Sequence, residues 1–286
     1  MLMVKRYNTK SNDSGVSESI GFLLIFSIVI AGIGLVTLYG YPLLLQQQVG
    51  AEEKIMEKNM IVLQNDVKSL AYKTVPYKET SLKIGGGSLT VYNSSYSPSS
   101  SAITIRDSGN TYVNSFQPGE LRYESVSAQT DISLQNGAVV LRPRINQGST
   151  NGSVMVAEPR WFYDVNQITN TNTMVINLIN ITSDNLMAKE GIGTVRMALV
   201  GEPYYNYTPG ISVPIYVDYT PDPGQDYSVA WDNYIKKTFT NQPGLAFSPS
   251  VTNSPGTGSQ LRYTLTPSGS PLTLVIKRYE VKIESI

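Results

Sequence analysis

From Ser19 to Ala51 the chain has no charged side chain over 33 consecutive residues, and Ile20 to Leu45 is mostly apolar. Wound as a helix, the 26 residues from Ile20 to Leu45 span ~39 Å, more than the ~30 Å hydrocarbon core of a bilayer. Buried helices of soluble domains rarely run so far without a charge, so a membrane-spanning helix is the expectation. A secretory signal peptide fits less well, because its apolar region is shorter and ends at a small-residue cleavage site. Here the run ends in Tyr41-Pro42-Leu43-Leu44-Leu45. Lys5, Arg6 and Lys10 precede the segment, and Lys54 and Lys58 follow it. That bias predicts a cytoplasmic N-terminus and an exported remainder.

Beyond Gln46-Gln47-Gln48 the sequence becomes amphipathic. Met56, Met60, Leu63, Val67 and Leu70 recur at 4-3-4-3 spacing, Val49 extends the stripe backwards, and Glu52, Glu53, Lys54, Glu57 and Lys58 take other faces. This period predicts one nearly continuous helix from Ile20 to Val75, about 84 Å long at helical rise, stopping before Pro76. Pro42 removes a backbone donor and is expected to kink or loosen the helix. Two heptads fall short of a coiled-coil seam, so the stripe is read as packing on the protein's own head.

After Tyr77 the texture turns to short Val/Ile/Tyr/Thr runs between turn residues. Gly85-Gly86-Gly87 lacks the Lys-Ser/Thr of a phosphate loop and is read as a hinge or hairpin turn. Ile103–Arg106 and Thr111–Val113 read as a hairpin about Asp107-Ser108-Gly109-Asn110. Asp131–Gln135 and Ala138–Leu141 read as another, with Asn136-Gly137 supplying a type I′ turn. Thr173–Ile181, Gly193–Val200 and Leu272–Ile283 are further predicted strands. Residues 218–234 and 241–258 are read as Pro/Gly/Asn-rich connections with a short helix near Tyr227–Lys237. The predicted fold is α+β: a long N-terminal helix, with a membrane part over 16–45 and an amphipathic extension over 46–76, then a β-rich, antiparallel, sandwich-like head over 77–286.

The chain contains no His and no Cys, and its 22 basic residues balance 22 acidic ones. Disulfides, thiolate zinc sites and nucleophile–His systems are thereby excluded for the chain alone. The balance offers no footprint for nucleic acid. No metal site, cofactor or catalytic residue is assigned. Asp218, Asp222, Asp226 and Asp232 are the densest carboxylates; glycosidases and calcium loops use such groups, but Pro221 and Pro223 favour a solvated turn. Tyr204, Tyr205, Tyr207, Tyr216, Tyr219 and Tyr227 could form a sugar- or surface-binding patch, against the plainer reading of half-buried strand aromatics.

The run Lys10-Ser11-Asn12-Asp13-Ser14-Gly15-Val16-Ser17-Glu18-Ser19-Ile20-Gly21 sets a basic leader ending in Gly before a small polar patch and the apolar helix. It resembles the class III signal peptide of type IV pilin-like proteins, particularly archaeal pilins and archaellins. The resemblance implies a leader over 1–15, cut between Gly15 and Val16 by a prepilin peptidase, with the apolar helix retained. It also implies a pilus assembly ATPase with its membrane platform, and sister or identical subunits, as partners. Gly21, Ala31, Gly32, Gly34 and Gly40 would be the small residues that let such helices pack in lipid. Asn136-Gly137-Ala138-Val139-Val140 with Glu158-Pro159-Arg160-Trp161 resembles the head of archaeal pilin-like membrane proteins of uncharacterised activity. Sequons at Asn93, Asn151 and Asn206 are candidate glycosylation sites of an exported head; a fourth, at Asn180, lies in an apolar strand where a glycan fits worst.

The functional expectation is a structural, non-enzymatic pilin-like subunit, held in the cell membrane with its head outside the cell or assembled into a surface filament. The alternative is a stand-alone N-in, C-out membrane-anchored protein whose head binds a partner or glycan. A remote third is an exported hydrolase relying on carboxylates.

Overall fold

The computed structural model describes residues 13–73, 75–93, 101–144, 152–166, 168, 171–249 and 253–286. The chain divides into a helical unit ending at Ala51 and a compact unit from Glu52 to Ile286.

In the first unit, α1 (Asp13–Leu35) runs into a π-helical turn (Val36–Gly40), and α2 (Tyr41–Lys73) begins. The Tyr41 N–H donates to the Val36 carbonyl, five residues back. The expected disturbance at Pro42 thus takes the form of one widened turn just ahead of it. Proline lacks the N–H for a bond to Leu38, and its ring crowds that carbonyl; a π turn makes the room. Ser27 and Thr37 hydroxyls donate to the carbonyls of Leu23 and Ile33 at 2.7 and 2.8 Å, so neither is left unsatisfied in an apolar setting. The large apolar residues from Ile20 to Leu45 are all exposed. This helix is long and apolar enough to span a membrane.

The compact unit has a ten-stranded and a five-stranded sheet. The larger comprises β1 (Tyr77–Tyr92), β4 (Glu120–Ser125), β5 (Thr130–Gln135), β6 (Ala138–Pro143), β7 (Val154–Ala157), β8 (Trp161–Asn166), β9 (Thr171–Thr182), β10 (Met187–Leu199), β11 (Tyr204–Ile211) and β15 (Leu272–Ser285). Its order is β7-β6-β5-β4-β1-β10-β15-β9-β8, and β11 also pairs with β15. The smaller contains β2 (Ala102–Arg106), β3 (Thr111–Phe116), β12 (Ile215–Thr220), β13 (Leu245–Pro249) and β14 (Leu261–Pro267), in the order β13-β14-β12-β2-β3. One more helix, α3 (Ser228–Phe239), lies in the stretch read from sequence as helical. Pairing is antiparallel throughout, except that β15 runs parallel to β9 from Leu272↔Asn172 to Lys282↔Thr182.

Side-chain parity fixes the layers. On β15, Leu272, Leu274 and Ile276 join a core with the smaller sheet and α3, whereas Tyr279, Val281 and Ile283 join a second core with α2. The same alternation separates Val140 from Val139 on β6 and Ile176 from Ile179 on β9. Successive strand residues face opposite sides, so the large sheet is the middle layer, with the small sheet on one face and α2 on the other. The helical stripe Met56, Met60, Leu63, Val67 and Leu70 is fully buried in the second core, which is the head packing its period implies.

Both predicted hairpins are present. Asn136 and Gly137 have φ of 47° and 70°, the left-handed pair a type I′ turn requires. The triple glycine is neither hinge nor hairpin. It lies inside β1 at a register shift: pairing with β10 is interrupted between Ile84 and Leu89 and then resumes, while pairing with β4 begins at Gly87 on the other edge. The connection over 241–258 contains β13, a strand whose Pro- and Gly-rich surroundings hid it.

Candidate functional site

The four aspartates do not form a solvated loop. All are buried, and each has its own partners. Asp218 accepts from two guanidinium nitrogens of Arg262, Nε and Nη2, at 2.6 and 3.0 Å, with Arg106 Nε at 3.4 Å. Asp222 accepts from the Gly224 N–H, and Asp226 from Ser228 and Gly258 N–H groups, each at 2.8 Å. Asp232 binds Tyr263 and Lys236 at 3.0 and 2.7 Å. Among the described residues no group of three carboxylates is placed to hold a metal ion. These carboxylates tie the small sheet, its loop and α3 together.

The tyrosines separate as well. Tyr219 and Tyr227 are core residues, Tyr219 stacking on Trp231 with ring centroids 5.8 Å apart. Tyr216 lies beneath the guanidinium groups of Arg106 and Arg262. Tyr204, Tyr205 and Tyr207, all on β11, remain exposed.

Gly15 and Val16 fall in the first turns of α1, which begins at Asp13, and residues 1–12 of the leader lie outside the described residues. A methyl group built on Gly21, Gly32 or Gly34 would meet nothing within 4 Å, and on Gly40 only Val36 at 3.6 Å. Among the described residues nothing requires these positions to be small, and Ala31 is exposed. Asn93 is buried and its side-chain nitrogen donates to the Ser183 carbonyl at 3.0 Å, so the atom a glycan would use is already engaged. Asn206 is half-buried on the exposed strand β11; Asn151 lies outside the described residues.

One cleft stands out, with a volume of about 550 Å³. It opens where β15 changes neighbours: β11 pairs with its first half, β10 with its last residues. The 200–203 connection between those strands passes beside it, and the end of α2 forms a wall. Register lines its floor up across the sheet. Tyr205 pairs with Lys277, Lys277 with Asn177, and the Asn177 amide donates to the Arg160 carbonyl just ahead of β8. Directly paired residues share a face, and this is the face that carries α2.

Two cations frame this row, each over a ring. Arg160 sits 5.0 Å from the Tyr72 ring centroid, and Lys277 5.4 Å from that of Tyr205. Neither has a carboxylate within ion-pair distance among the described residues, although Glu202 stands on the rim. Tyr72 packs edge-on against Tyr279 at 5.3 Å. Burial, then the neighbouring Tyr205, pushes the Tyr279 hydroxyl up to about 12, and burial raises Tyr72 further. Nearby Lys68 is held below the ordinary lysine range by burial and then by the positive charge of Arg160, though Glu158 opposes this. The cleft therefore combines aromatic walls with a positive local potential, suited to a ligand bearing both negative charge and an apolar face. Of these residues the sequence pattern singled out Tyr205, and Arg160 lay within the Glu158–Trp161 run quoted for its resemblance; Tyr72 and Lys277 carry no local signal.

A family model matches residues 15–242, that of the family of unknown function DUF7289. No curated protein and no solved structure matches the chain.

Proposed function

We propose, for a chain that belongs to the family of unknown function DUF7289, a structural, non-enzymatic role as a pilin-like subunit or minor pilin-like component of a cell-surface assembly. The observation that carries this reading is the apolar helix, whose large side chains from Ile20 to Leu45 are exposed on every side within the chain. Such a surface needs lipid or other helices around it, and the open flanks of Gly21, Gly32 and Gly34 admit close neighbours. In this reading the N-terminus is cytoplasmic, the leader is removed after Gly15 by a prepilin peptidase, and an assembly ATPase with its platform handles the helix. The head stands outside the cell, with Asn206 and Asn151 as its candidate glycan sites.

Intact-mass measurement on protein purified from its native membrane tests this. Loss of residues 1–15 is the expected result, together with filaments or sister subunits that co-purify. A full-length N-terminus in every preparation sinks the processed-subunit reading. A second reading, a stand-alone membrane-anchored protein with a binding head, draws on the cleft at the β10–β11 handover. It requires no cleavage and no assembly partners.

A further inference from the structure

We propose that the cleft between the end of α2 and the β8–β9–β15–β11 face binds an acidic oligosaccharide, a chain of uronate-type pyranose units. The inference goes beyond the structural role and draws on that reading in one respect: a head outside the cell meets such polymers.

Three features select this chemistry. The two cations lean onto different rings, Arg160 onto Tyr72 of α2 and Lys277 onto Tyr205 of β11, so they point to separate anions. Their strands are separated by β9, which puts the backbones roughly 10 Å apart at ordinary strand spacing. Successive acidic units can reach both. Next, aromatic faces beside cations suit a pyranose ring, whose C–H face stacks while its carboxylate finds the charge. Finally, Glu202 on the rim would repel a bare phosphate but accepts hydrogen bonds from sugar hydroxyls. The volume of about 550 Å³ falls within the ~300–1,000 Å³ of ordinary ligand clefts. An acidic peptide would use the cations but gains less from the ring faces.

The test is calorimetric titration of the full-length protein, in detergent, with trigalacturonate. Its methyl ester supplies the same rings without charge, and hexaglutamate supplies charge without rings. The expected result is saturable binding of trigalacturonate, at least tenfold weaker binding of the ester, and no comparable binding of hexaglutamate. Arg160→Gln and Lys277→Gln are each expected to weaken trigalacturonate at least tenfold, and Tyr205→Ala to weaken it as well. Arg196→Gln, which breaks a surface pair with Glu79 on β1, should leave affinity unchanged. A thermal melt of each variant separates lost binding from lost fold. Equal affinity for ester and acid, preference for hexaglutamate, no binding of trigalacturonate, or full affinity in both cation variants overturns the proposal. The titration needs neither leader cleavage nor filaments, so its failure is distinguishable from failure of the pilin-like reading.

Discussion

The side-chain amide of Gln64 on α2 donates to the Gly137 carbonyl at the tip of the β5–β6 hairpin, at 2.7 Å. The same nitrogen donates to the Glu158 carbonyl at 3.0 Å. A polar residue thus sits in the middle of the buried helical stripe and fastens the helix to two separate points of the sheet. Gln64→Leu keeps the bulk but leaves two carbonyls without this donor. It is expected to lower unfolding free energy by about 1–3 kcal/mol, read from urea denaturation of the full chain in detergent.

Leu63, fully buried between α2 and the large sheet, tests the helix as part of the head. Leu63→Ala should cost about 2–5 kcal/mol in the same measurement. Leu44→Ala, in the exposed apolar segment, should leave head unfolding within about 0.5 kcal/mol of the parent. Equal effects from both would contradict the packing of the stripe described above.

Gly86 and Gly87 of β1 have different reasons to be glycine. An added Cβ at Gly87 would lie 2.2 Å from the Glu124 backbone oxygen, which cannot move without breaking the β1–β4 ladder. At Gly86 the nearest obstacle, at 2.5 Å, is the far end of the Glu52 side chain, and the φ of +67° adds backbone strain. Thermal melts should rank Gly87→Ala as most damaging and Gly86→Ala next, at about 1–2 kcal/mol from the left-handed backbone. Gly50→Ala, with nothing within 4 Å, should have little effect.

Alkaline pH should unfold the head early. Burial, the leading cause, holds the hydroxyls of Tyr234 and Tyr279 up to about 12, against an ordinary 10.0. Tyr219, Tyr227 and Tyr263 are raised for the same first reason. These groups keep their protons longer folded than unfolded. Their contribution is complete below pH 10 and is lost as pH rises toward about 12. Melting temperature measured across this range should fall steeply, with tyrosinate absorbance rising together with unfolding rather than before it.

Elements with a local period were legible in the sequence. The apolar run, the 4-3-4-3 stripe and the Asn136-Gly137 turn each carry their structure within a few residues. What was hidden depends on distant partners. Asp218 and Asp232 look like loop carboxylates until Arg262 and Tyr263 arrive from β14. Asp226 did carry a local sign, a side chain positioned to receive the Ser228 N–H at the start of α3. The parallel pairing of β15 with β9 was not legible either, because alternation along a strand says which face is buried but not which neighbour lies alongside. The cleft shares this difficulty: residues 72, 160, 205 and 277 meet through strand order and the packing of α2 on the sheet.

That strand order has a kinetic meaning. The strand latest in sequence, β15, is inserted into the interior of the large sheet, flanked by β9 on one edge and by β10 and β11 on the other. A chain emerging from its N-terminus can form the β4–β5–β6 meander from neighbouring segments, but the sheet remains in two halves until Leu272 and the residues after it are available. Until then β9 and β10 offer unpaired edges, which attract other chains as readily as the missing strand. A final, long-range insertion is therefore the expected closing step of the head, and this topology predicts slow assembly for its size.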